Sequence, residues 1–574
     1  MPHSPIHHKP PNLIYGVDDL PSWRVCVLMG LQHIFVLSIG FVLSVIIVQE
    51  IGGSPEQGQY LIGMAMLAMG IGTILQGILP GPVGSGYLAP HLNGLAFTSA
   101  SLLAGKAGGL PLIFGMTMVG GLFEAAFSRL VRRLRALFPA EVTGTVVLLV
   151  GIEAIPLGLP RFFGIDATHP SPDFTSFIIA LATLSVMVGF NVWSKGNLKL
   201  YSVIIGMVMG YSLSYVWGIM GNEHLHRIIQ APVFSAPEIG KYGWKFRLEL
   251  MIPFMAAMLS SALKAMGDLT TCQKINDQNW KRPEMKSIGN GILACAVGNL
   301  CCGLLGSLGQ STSSSNIGLS IATGVTSRRV AYVTGAMLLV LAVMPKLAAI
   351  FVIMPTPIMG AILVYVVSFV LLAGISIMAS RMIDARKTFV IGISLILGLS
   401  YNMSPRIYQA LPAWISPLVS SGLTVGTICA IFLNAIFRLG LKKKAVLEVA
   451  PGMQAYKQVA DFMQKQGAAW GAIRVVVRDA TFALCKVLHA LSNLDNPPEK
   501  VIIEVSFDEF NLNVLIDYPG EPVDVAQFCL TAKEVSSHPE ADLAMARYLS
   551  GKYARYCAAH QVGEKIHLLL HFDH

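Results

Sequence analysis

Apolar stretches about 20 residues long, separated by short polar loops, occupy the chain from about residue 25 to about residue 440. Each reaches the length that an α-helix needs to cross a bilayer. Such spans are predicted near residues 25–49, 60–79, 110–128, 141–159, 173–192, 199–219, 249–270, 287–308, 329–353, 357–379, 385–402 and 414–438. Two further apolar stretches, residues 83–104 and 309–326, are interrupted by glycine, serine and proline. Counting both predicts fourteen crossings, and an even number leaves both termini on one side.

Lysine and arginine are concentrated in every second loop of this count. The basic loops are residues 128–138, 193–199, 274–286, 326–330, 380–387 and 438–444. The main exception to the pattern is residues 221–247, a longer loop of mixed charge. The positive-inside rule therefore predicts that the basic loops and both termini are cytoplasmic, in a multi-pass protein of the cell (inner or plasma) membrane.

The composition is that of a membrane protein, because 54% of the 574 residues are hydrophobic and only 13% are charged. Soluble domains carry about 25% charged residues. The formal charge of +9 comes mostly from loop lysines and arginines, so no nucleic-acid partner is predicted. The nine cysteines form no CxxC pair, and no histidine cluster has metal-ligand spacing, so neither a metal nor a cofactor is predicted. Residues 1–22 lack an apolar core followed by a cleavage site and are expected to be a cytoplasmic N-terminal segment.

The two interrupted stretches carry the strongest functional signal. They read GPVGSGYLAPHLNGLAFTSAS (residues 81–101) and GSLGQSTSSSNIGLSIATG (residues 306–324), at corresponding places in the two halves of the chain. Each is predicted to begin as extended backbone and to continue as a helix of about half the membrane's thickness. In transporters, paired interruptions of this kind turn half-helix N-termini, with their free N–H groups and positive dipole ends, toward the substrate. The alternative is a pair of ordinary helices kinked by glycine.

Five short motifs carry a family resemblance. They are GLQH (residues 30–33), GSGYL (84–88), the GD of KAMGD (264–268), SNIG (315–318) and ATGVTSR (322–328). In this order and spacing, over residues 15–440, they resemble the nucleobase–ascorbate transporters, also called nucleobase–cation symporters. The resemblance implies an α-helical membrane protein with fourteen transmembrane segments in two inverted seven-span repeats, split into core and gate domains. It also implies a homodimer among membrane lipids that carries uracil, xanthine, urate or a related base, with a coupled proton or sodium ion.

This arrangement divides the chain into four segments. The N-terminal segment (residues 1–22) is followed by the first repeat (23–245), the second repeat (246–441) and a cytoplasmic α/β sandwich domain (442–574). Under the resemblance, the small-molecule substrate binds between the third and tenth spans. The core then carries it across by sliding against the gate.

Two positions of the implied site depart from the family. Lys264 stands where the family usually has a glutamate that accepts hydrogen bonds from the base. Ser315 stands where a glutamate or glutamine usually grips the other edge of the base. An ammonium group only donates hydrogen bonds, whereas a carboxylate only accepts them. The departures therefore predict a substrate that is anionic when bound.

The other implied site residues match the family's motifs. The substrate-binding residues are Gly40, Phe97, Asp268, Ser314 and Asn316, and the supporting residues are His33, Tyr87, His91 and Asn93. Phe97 is expected to lie against the bound ring, with Gly40 beneath it. His33 is expected to bond across helices to the core, and His91 and Asn93 are expected to cap the first half-helix.

Lys264 and Asp268 lie one helical turn apart, and two accounts of them stay open. In the structural account they form a neutralised i,i+4 pair and have no other role. In the functional account the ammonium and the half-helix dipoles attract an anion, and Asp268 holds Lys264 until the substrate arrives. Two further carboxylates, Glu124 and Glu153, lie toward span ends, where a side chain reaches the membrane interface easily, and are therefore weak candidates for carrying a proton.

Residues 442–574 read as an ordinary globular domain. Residues 500–507 and 510–518 alternate apolar and polar positions, which predicts half-buried strands, and segments of helical periodicity precede them. A further helix is predicted near residues 540–560, and a strand near residues 565–572.

This domain loosely resembles the ATP-binding domains of anti-sigma-factor serine kinases and histidine kinases. Its nucleotide motifs are altered, because Lys486 and Ala490 stand where glutamate and asparagine are expected. Residues 517–520 keep the aspartate and one glycine of the first glycine box, and the second box lacks glycine. The sequence therefore predicts a regulatory role or a cytoplasmic protein partner rather than ATP hydrolysis.

The sequence as a whole predicts a secondary transporter of a nucleobase-like solute and not an enzyme. Two alternatives stay open. One is a transporter of a non-base organic or inorganic anion, since the base-reading carboxylates are gone. The other is a membrane sensor that signals through its C-terminal domain.

Overall fold

The computed structural model divides into two compact units, Met1–Ala435 and Ile436–His574. The structure describes residues 9–573 with the exception of residues 80, 135–136, 166–170, 195–200, 221–228, 230–231, 279, 281–282, 381, 413–414, 416–418, 439–442, 493–496, 509–510, 520–555 and 563–564. The first unit is predominantly helical, and the second combines helices with a five-stranded sheet.

Helices make up most of the first unit. In chain order they are α1 (Trp23–Leu37), α2 (Ile39–Glu50), α3 (Pro55–Gly77), α4 (Thr98–Leu134), α5 (Ala140–Phe162), α6 (Phe174–Trp193), α7 (Ser202–Val216), α8 (Met251–Asn276), α9 (Met285–Leu305), α10 (Ser314–Thr323), α11 (Arg328–Ala342), α12 (Pro345–Val352), α13 (Thr356–Met378), α14 (Ala385–Met403), α15 (Pro405–Gln409) and α16 (Gly422–Phe437). Short 3₁₀ turns at Leu95–Phe97 and Leu248–Leu250 precede α4 and α8. Two three-residue strands, β1 (His91–Asn93) and β2 (Gln310–Thr312), also belong to this unit.

Eight helical stretches among the described residues are long and apolar enough to cross a membrane, and the count is nine if α11 and α12, which meet at 84°, are taken as one broken span. The eight are Trp23–Glu50, Pro55–Gly77, Leu95–Val131, Ala140–Phe162, Phe174–Trp193, Leu248–Asn276, Met285–Leu305 and Thr356–Met378. The shorter apolar helices α7 and α16 lie where spans are predicted at residues 199–219 and 414–438. This is the structure of a multi-pass membrane protein, and the count of fourteen spans stays a prediction.

Local sequence explains where the long helices begin and break. α3 begins at a capping box, in which Ser54 and Gln57 exchange hydrogen bonds of 3.3 and 3.0 Å. Between α1 and α2, the hydroxyl of Ser38 donates to the carbonyl oxygen of Phe35 (2.7 Å). Gly109 has a φ of 71° inside α4. Because only glycine adopts this backbone at little cost, α4 consists of two helical segments joined at Gly109.

Glycine contacts bring helices together in two groups. In the α3 group, a Cβ atom on Gly70 would lie 2.8 Å from the carbonyl oxygen of Gly335 in α11. In the α5 group, a Cβ atom on Gly144 would lie 2.7 Å from the carbonyl oxygen of Gly374 in α13. Small residues allow membrane helices to approach this closely. The α3 group also contains α1, α4, α8, α9 and α11, and the α5 group also contains α6, α7, α13 and α14.

The two interrupted stretches meet in a short antiparallel β-pair. The paired residues are His91 with Thr312, Leu92 with Ser311 and Asn93 with Gln310. β1 leads through a 3₁₀ turn into the first segment of α4, and β2 leads into α10, a helix of 10 residues. The prediction of extended backbone followed by a short helix is therefore confirmed. The alternative of two kinked helices is wrong, because residues 91–93 and 310–312 are extended and paired with each other.

The second unit is built on an antiparallel sheet. Its elements are β3 (Lys443–Val449), α17 (Met453–Trp470), α18 (Arg474–Ser492), β4 (Val501–Phe507), β5 (Asn511–Pro519), β6 (Tyr556–Val562) and β7 (Lys565–Asp573). The strand order is β3-β4-β5-β7-β6. Alternate residues of β4 and β5, such as Ile503 and Val514, are buried in one core with Leu484 of α18. The helices therefore cover one face of the sheet.

The prediction of a helix near residues 540–560 is wrong at its end. Residues Tyr556–Val562 form β6, which pairs with β7 along its whole length. The local sequence favours a helix, but pairing with a partner strand outweighs this weak preference. The rest of the predicted helix lies outside the described residues.

Candidate substrate-binding site

The end of β2 lies against α8, the helix that carries the intramembrane lysine. Lys264 Nζ lies 3.0 Å from Asp268 Oδ2, one turn along the helix. The same ammonium donates to the backbone carbonyl oxygen of Thr312. An ammonium has three N–H donors. Among the described residues two of them have acceptors, which leaves one N–H for a ligand.

Asp268 connects α8 to the start of the second half-helix. Its Oδ2 accepts hydrogen bonds from Lys264 and from Thr312 Oγ1 (2.6 Å), and its Oδ1 accepts one from Ser314 Oγ (2.7 Å). The side chain of Asp268 is only 10% exposed. Asp268 therefore holds Lys264 and the first turn of α10 in place.

One face of α10 is open. Ser315 is exposed, as is Gly318 one turn further along, and a Cβ atom on Gly318 would meet nothing within 4 Å. Ser315 directly follows Ser314, which is bonded to Asp268. The open face thus begins beside the Lys264–Asp268 pair, at the N-terminal end of α10, where Ser313 Oγ accepts from the backbone N–H of Asn316 (3.4 Å).

Asn316 turns away from this open face and toward α1. Its Nδ2 donates to Nδ1 and to the carbonyl oxygen of His33, at 2.9 and 3.0 Å. Its Oδ1 accepts from the hydroxyl of Ser313 (2.6 Å). His33 thus bonds across helices, as predicted. Asn316 and His33 together anchor α10 to α1, and direct contact between Asn316 and substrate stays a prediction.

Phe97 is packed between the two extended stretches. Its side chain is 1% exposed. A Cβ atom on Gly309 would lie 2.6 Å from the ring, and one on Gly94 would lie 3.0 Å from it. Both glycines are therefore needed for the ring to fit, one from each interrupted stretch. Contact between the ring and a substrate stays a prediction.

Asn93 joins β1 to α2. Its Nδ2 donates to the carbonyl oxygen of Gly40 (3.2 Å) and to Ser44 Oγ (2.7 Å). A Cβ atom on Gly40 would lie 3.2 Å from the backbone nitrogen of Asn93. Gly40 therefore lets α2 approach β1 closely, next to the residues that precede Phe97.

The prediction that His91 and Asn93 cap the first half-helix is wrong. Both residues belong to β1, and the N-cap of the 3₁₀ turn is Gly94, which makes no side-chain capping bond. The backbone N–H of His91 donates to Thr73 Oγ1 (3.1 Å), and its Nε2 lies 3.7 Å from Cys295 Sγ. Asn93 directly precedes this N-cap, but its side chain bonds to Gly40 and Ser44 of α2 instead.

Tyr87 belongs to a tight turn between α3 and β1. Its ring is buried, and its backbone N–H donates to Ser85 Oγ (3.4 Å). Gly84 and Gly86 have φ values of 103° and 80°. At Gly84 a Cβ atom would lie 2.5 Å from the carbonyl oxygen of Leu75. The GSGYL motif is therefore explained by the turn that directs the chain into β1.

Of the two carboxylates toward span ends, Glu124 is buried inside the protein and Glu153 is partly buried. Glu124 is 0% exposed and accepts a hydrogen bond from Asn299 Nδ2 (2.7 Å). Glu153 accepts from Ser99 Oγ (2.5 Å) and from the backbone N–H of Leu423 (3.2 Å). Position along a span does not reveal which helix face is buried. The signal for Glu124 was Asn299, the polar residue within the apolar residues 291–305 of α9.

A family model described as "Permease family" and named for xanthine and uracil permeases matches residues 24–407. The chain belongs to the nucleobase–ascorbate transporter family. A Clostridium perfringens protein described as a candidate purine permease is 31% identical over 428 residues, covering 74% of this chain and 93% of its own. Xanthine permease XanQ of Escherichia coli is 29% identical over 470 residues, covering 79% of this chain and 100% of XanQ. This nucleobase–ascorbate transporter is a membrane permease and not an enzyme.

Solved structures of other transporters also align with this nucleobase–ascorbate transporter. The transmembrane domain of a cyanobacterial bicarbonate transporter, BicA, aligns with a TM-score of 0.45 and 15% identity, covering 74% of this chain and 100% of that domain. The structure of SLC26A9 aligns with a TM-score of 0.47 and 11% identity, covering 74% of this chain and 67% of that protein.

Proposed function

We propose that the protein is a secondary transporter that moves a purine-type nucleobase, bound as an anion, across the cell membrane by alternating access. The observation that carries this proposal is Lys264. In the part of the chain that the structure describes, two N–H groups of its ammonium have acceptors and the third has none, and the ammonium lies at the start of a half-helix with an open face. The relatives named for xanthine and purines support the class of substrate.

The charges around the site favour an anion. The ammonium of Lys264 is paired with Asp268 but keeps its positive charge, and the N-terminus of α10 adds the partial positive charge of the helix dipole. An extra negative charge on the substrate is therefore attracted by both the ammonium and the helix end. Urate and ionised xanthine combine such a charge with a planar ring. Phe97, Gly40, Ser314 and Ser315 are proposed to line the rest of the pocket.

The proposed transport movement is a displacement of the α3 group, as the core, relative to the α5 group, as the gate. The α3 group contains α8, α4 and α9, and β2 and α10 contact α8. The glycine contacts within each group support motion as two rigid bodies. Fourteen spans in two inverted repeats, a homodimer, cytoplasmic termini and a coupled ion complete the proposal.

The C-terminal unit is proposed to act on a cytoplasmic partner rather than to use ATP. Asp517, the residue retained from the first glycine box, is bonded to His567 on the neighbouring strand (2.6 Å). Its neighbours Ile516 and Tyr518 face the helices, so Asp517 lies on the opposite face of the sheet from α18 and Lys486. An ATP-binding arrangement needs these groups on one side.

Purified protein and proteoliposomes test the proposal together. A thermal-shift screen should show stabilisation by urate and xanthine, because a ligand of the folded state stabilises it by mass action. The same compounds should show counterflow in proteoliposomes. Stabilisation by bicarbonate or other small anions alone would support a non-base anion transporter. Stabilisation by a base with no counterflow would support a sensor.

A further inference from the structure

Glu124 is a carboxyl group enclosed by the α3 group with a single hydrogen bond. It is fully buried on α4, and its Oε2 accepts from Nδ2 of Asn299 on α9 (2.7 Å). Among the residues that the structure describes, Oε1 has no hydrogen-bond partner. Asp268, by comparison, accepts three hydrogen bonds. A buried polar atom without a partner is rare and needs a physical explanation.

The amide of Asn299 is fixed by β2. Its Oδ1 accepts from the backbone N–H of Gln310 (2.6 Å), and its Nδ2 donates to the carbonyl oxygen of Gln310 (3.0 Å) as well as to Glu124. Rotating the amide would break both bonds to Gln310. Asn299 therefore presents an N–H group to Glu124, so that Oε2 must be an acceptor. A proton on this carboxyl group must lie on Oε1.

The surroundings of Glu124 offer no free positive charge among the described residues. The titratable groups that face it from α9 are the thiols of Cys295 and Cys302. From β1, His91 is bonded to Cys295. On α8, the ammonium of Lys264 is already in an ion pair. Burying an isolated carboxylate costs far more than one hydrogen bond returns, so the neutral form is favoured.

We propose that Glu124 is a proton-binding site, which is occupied in this conformation and exchanges its proton with water during transport. The step is the addition of a proton to the carboxylate at Oε1 and its later release, and it needs no other reactant. A proton fits this site better than a metal ion, which needs several ligands. No group of three histidine, cysteine or acidic side chains among the described residues could hold one.

The contacts connect this site to Lys264 and Asp268 through β2. Hydrogen bonds to an ionised acceptor are roughly twice as strong as neutral ones, so deprotonation tightens the bond from Asn299. Asn299 holds both backbone groups of Gln310, at the start of β2. At the other end of β2, Thr312 donates to Asp268. Protonation of Glu124 and occupation of the substrate site therefore act on one short strand. This link, unlike the proton site itself, rests on the proposed function.

Infrared difference spectroscopy on the full-length protein in lipid tests the proton site without any substrate. At neutral pH the wild type should show the C=O stretch of a protonated carboxyl group, and Glu124→Gln should lack that band. Glu141→Gln is the matched control, because Glu141 is a buried carboxylate with the guanidinium of Arg386 at 3.7 Å. This control should keep the band. Absence of the band from the wild type, or its persistence in Glu124→Gln, would overturn the proposal.

Xanthine transport in proteoliposomes tests the link between the two sites. A proton gradient should raise xanthine uptake about tenfold in the wild type and not in Glu124→Gln, in the usual range for coupled sites. Counterflow of xanthine, which needs no net proton movement, should persist in the variant. Equal gradient-driven uptake by both proteins, or an equal effect of a sodium gradient, would overturn the coupling. A wild type that moves no xanthine would contradict the proposed function, and the infrared band would still decide the proton site.

Discussion

Two carboxyl groups lie on either side of β2, and they differ in the hydrogen-bond donors that surround them. Asp268, on α8, accepts hydrogen bonds from an ammonium and two hydroxyl groups. Glu124, on α4, accepts one hydrogen bond from an amide and is fully buried. Asp268 therefore has one charged and two neutral donors, whereas Glu124 has a single neutral donor among the described residues. The same functional group is thus a hydrogen-bonded anchor on one side of the strand and the proposed proton site on the other.

The largest expected effect comes from neutralising each carboxyl group in turn. Asp268→Asn leaves the Lys264 ammonium unpaired, and we expect a loss of about 2–3 kcal/mol, somewhat below the cost of breaking a fully buried pair. Glu124→Gln replaces one neutral group by another and should cost less than about 1 kcal/mol. Thermal unfolding in detergent measures both. Equal losses of stability in Asp268→Asn and Glu124→Gln would contradict the proposed difference between the two carboxyl groups.

The double variant Lys264→Gln/Asp268→Asn serves as the control for that measurement. It removes both charges, so most of the stability lost in Asp268→Asn should return. No recovery would show that the hydrogen bonds of Asp268, rather than its charge, hold the site.

The next effect concerns substrate affinity. If Lys264 contacts an anion, Lys264→Gln should weaken urate binding by more than about tenfold, since hydrogen bonds to charged groups contribute roughly 1.5–3 kcal/mol. Lys264→Glu should abolish urate binding, while Asp268→Asn protein that stays folded should bind urate equally or more tightly. Equilibrium binding of labelled urate measures these changes.

Lys387→Gln is the matched control for Lys264. Lys387 is a buried lysine on α14 whose Nζ donates to the carbonyl oxygen of Met382 (3.0 Å). Its replacement should leave urate affinity unchanged. Unchanged affinity in Lys264→Gln would favour the purely structural account of the ion pair.

A smaller effect is expected from the hydroxyl that links β2 to Asp268. Thr312→Val removes this donor and should lower stability by about 1–2 kcal/mol and weaken urate binding several-fold. Thr183→Val, in α6, is the control, because its hydroxyl donates to Ile179 within its own helix (2.7 Å). Thermal unfolding and urate binding measure both effects, and Thr312→Val should lose more stability and more affinity than Thr183→Val. Identical behaviour would argue against a role for the strand in holding Asp268.

The smallest effect is expected at a third carboxylate, Asp517 of the C-terminal unit. Because it is bonded to His567 on the face away from α18, ATP should find no binding arrangement there. Micromolar ATP should therefore leave the melting temperature of a fragment covering residues 436–574 unchanged. Measurable micromolar binding would contradict the interpretation of the altered motifs.

Features encoded by neighbouring residues were predictable from the sequence. The pairing of Lys264 with Asp268 follows from their i,i+4 spacing on one helix. The half-helix at α10 follows from the glycine and serine residues before it. β4 and β5 lie at the strands predicted from alternating apolar and polar positions.

Features that depend on a distant part of the chain were missed. The roles of His91 and Asn93 depend on β2, more than 200 residues away, so local capping rules gave the wrong answer. The burial of Glu124 depends on the face that α4 turns toward α9. The strand at Tyr556–Val562 depends on pairing with β7. Tertiary contacts decide each of these, and no local pattern reports them.

The glycine contacts between α3 and α11 and between α5 and α13 have a consequence for how this protein can evolve. At Gly70 and Gly144 even a methyl group would collide with backbone on the opposite helix. Elsewhere a side chain can change in size while its neighbours repack. At these contacts the neighbouring atom belongs to a helix backbone, which cannot move without displacing the whole helix. We therefore expect almost no substitution to be tolerated at these glycine contacts. Substitutions of the pocket residues should be tolerated more often and should create new substrate preferences. Such a division would let one mechanical frame serve many different solutes.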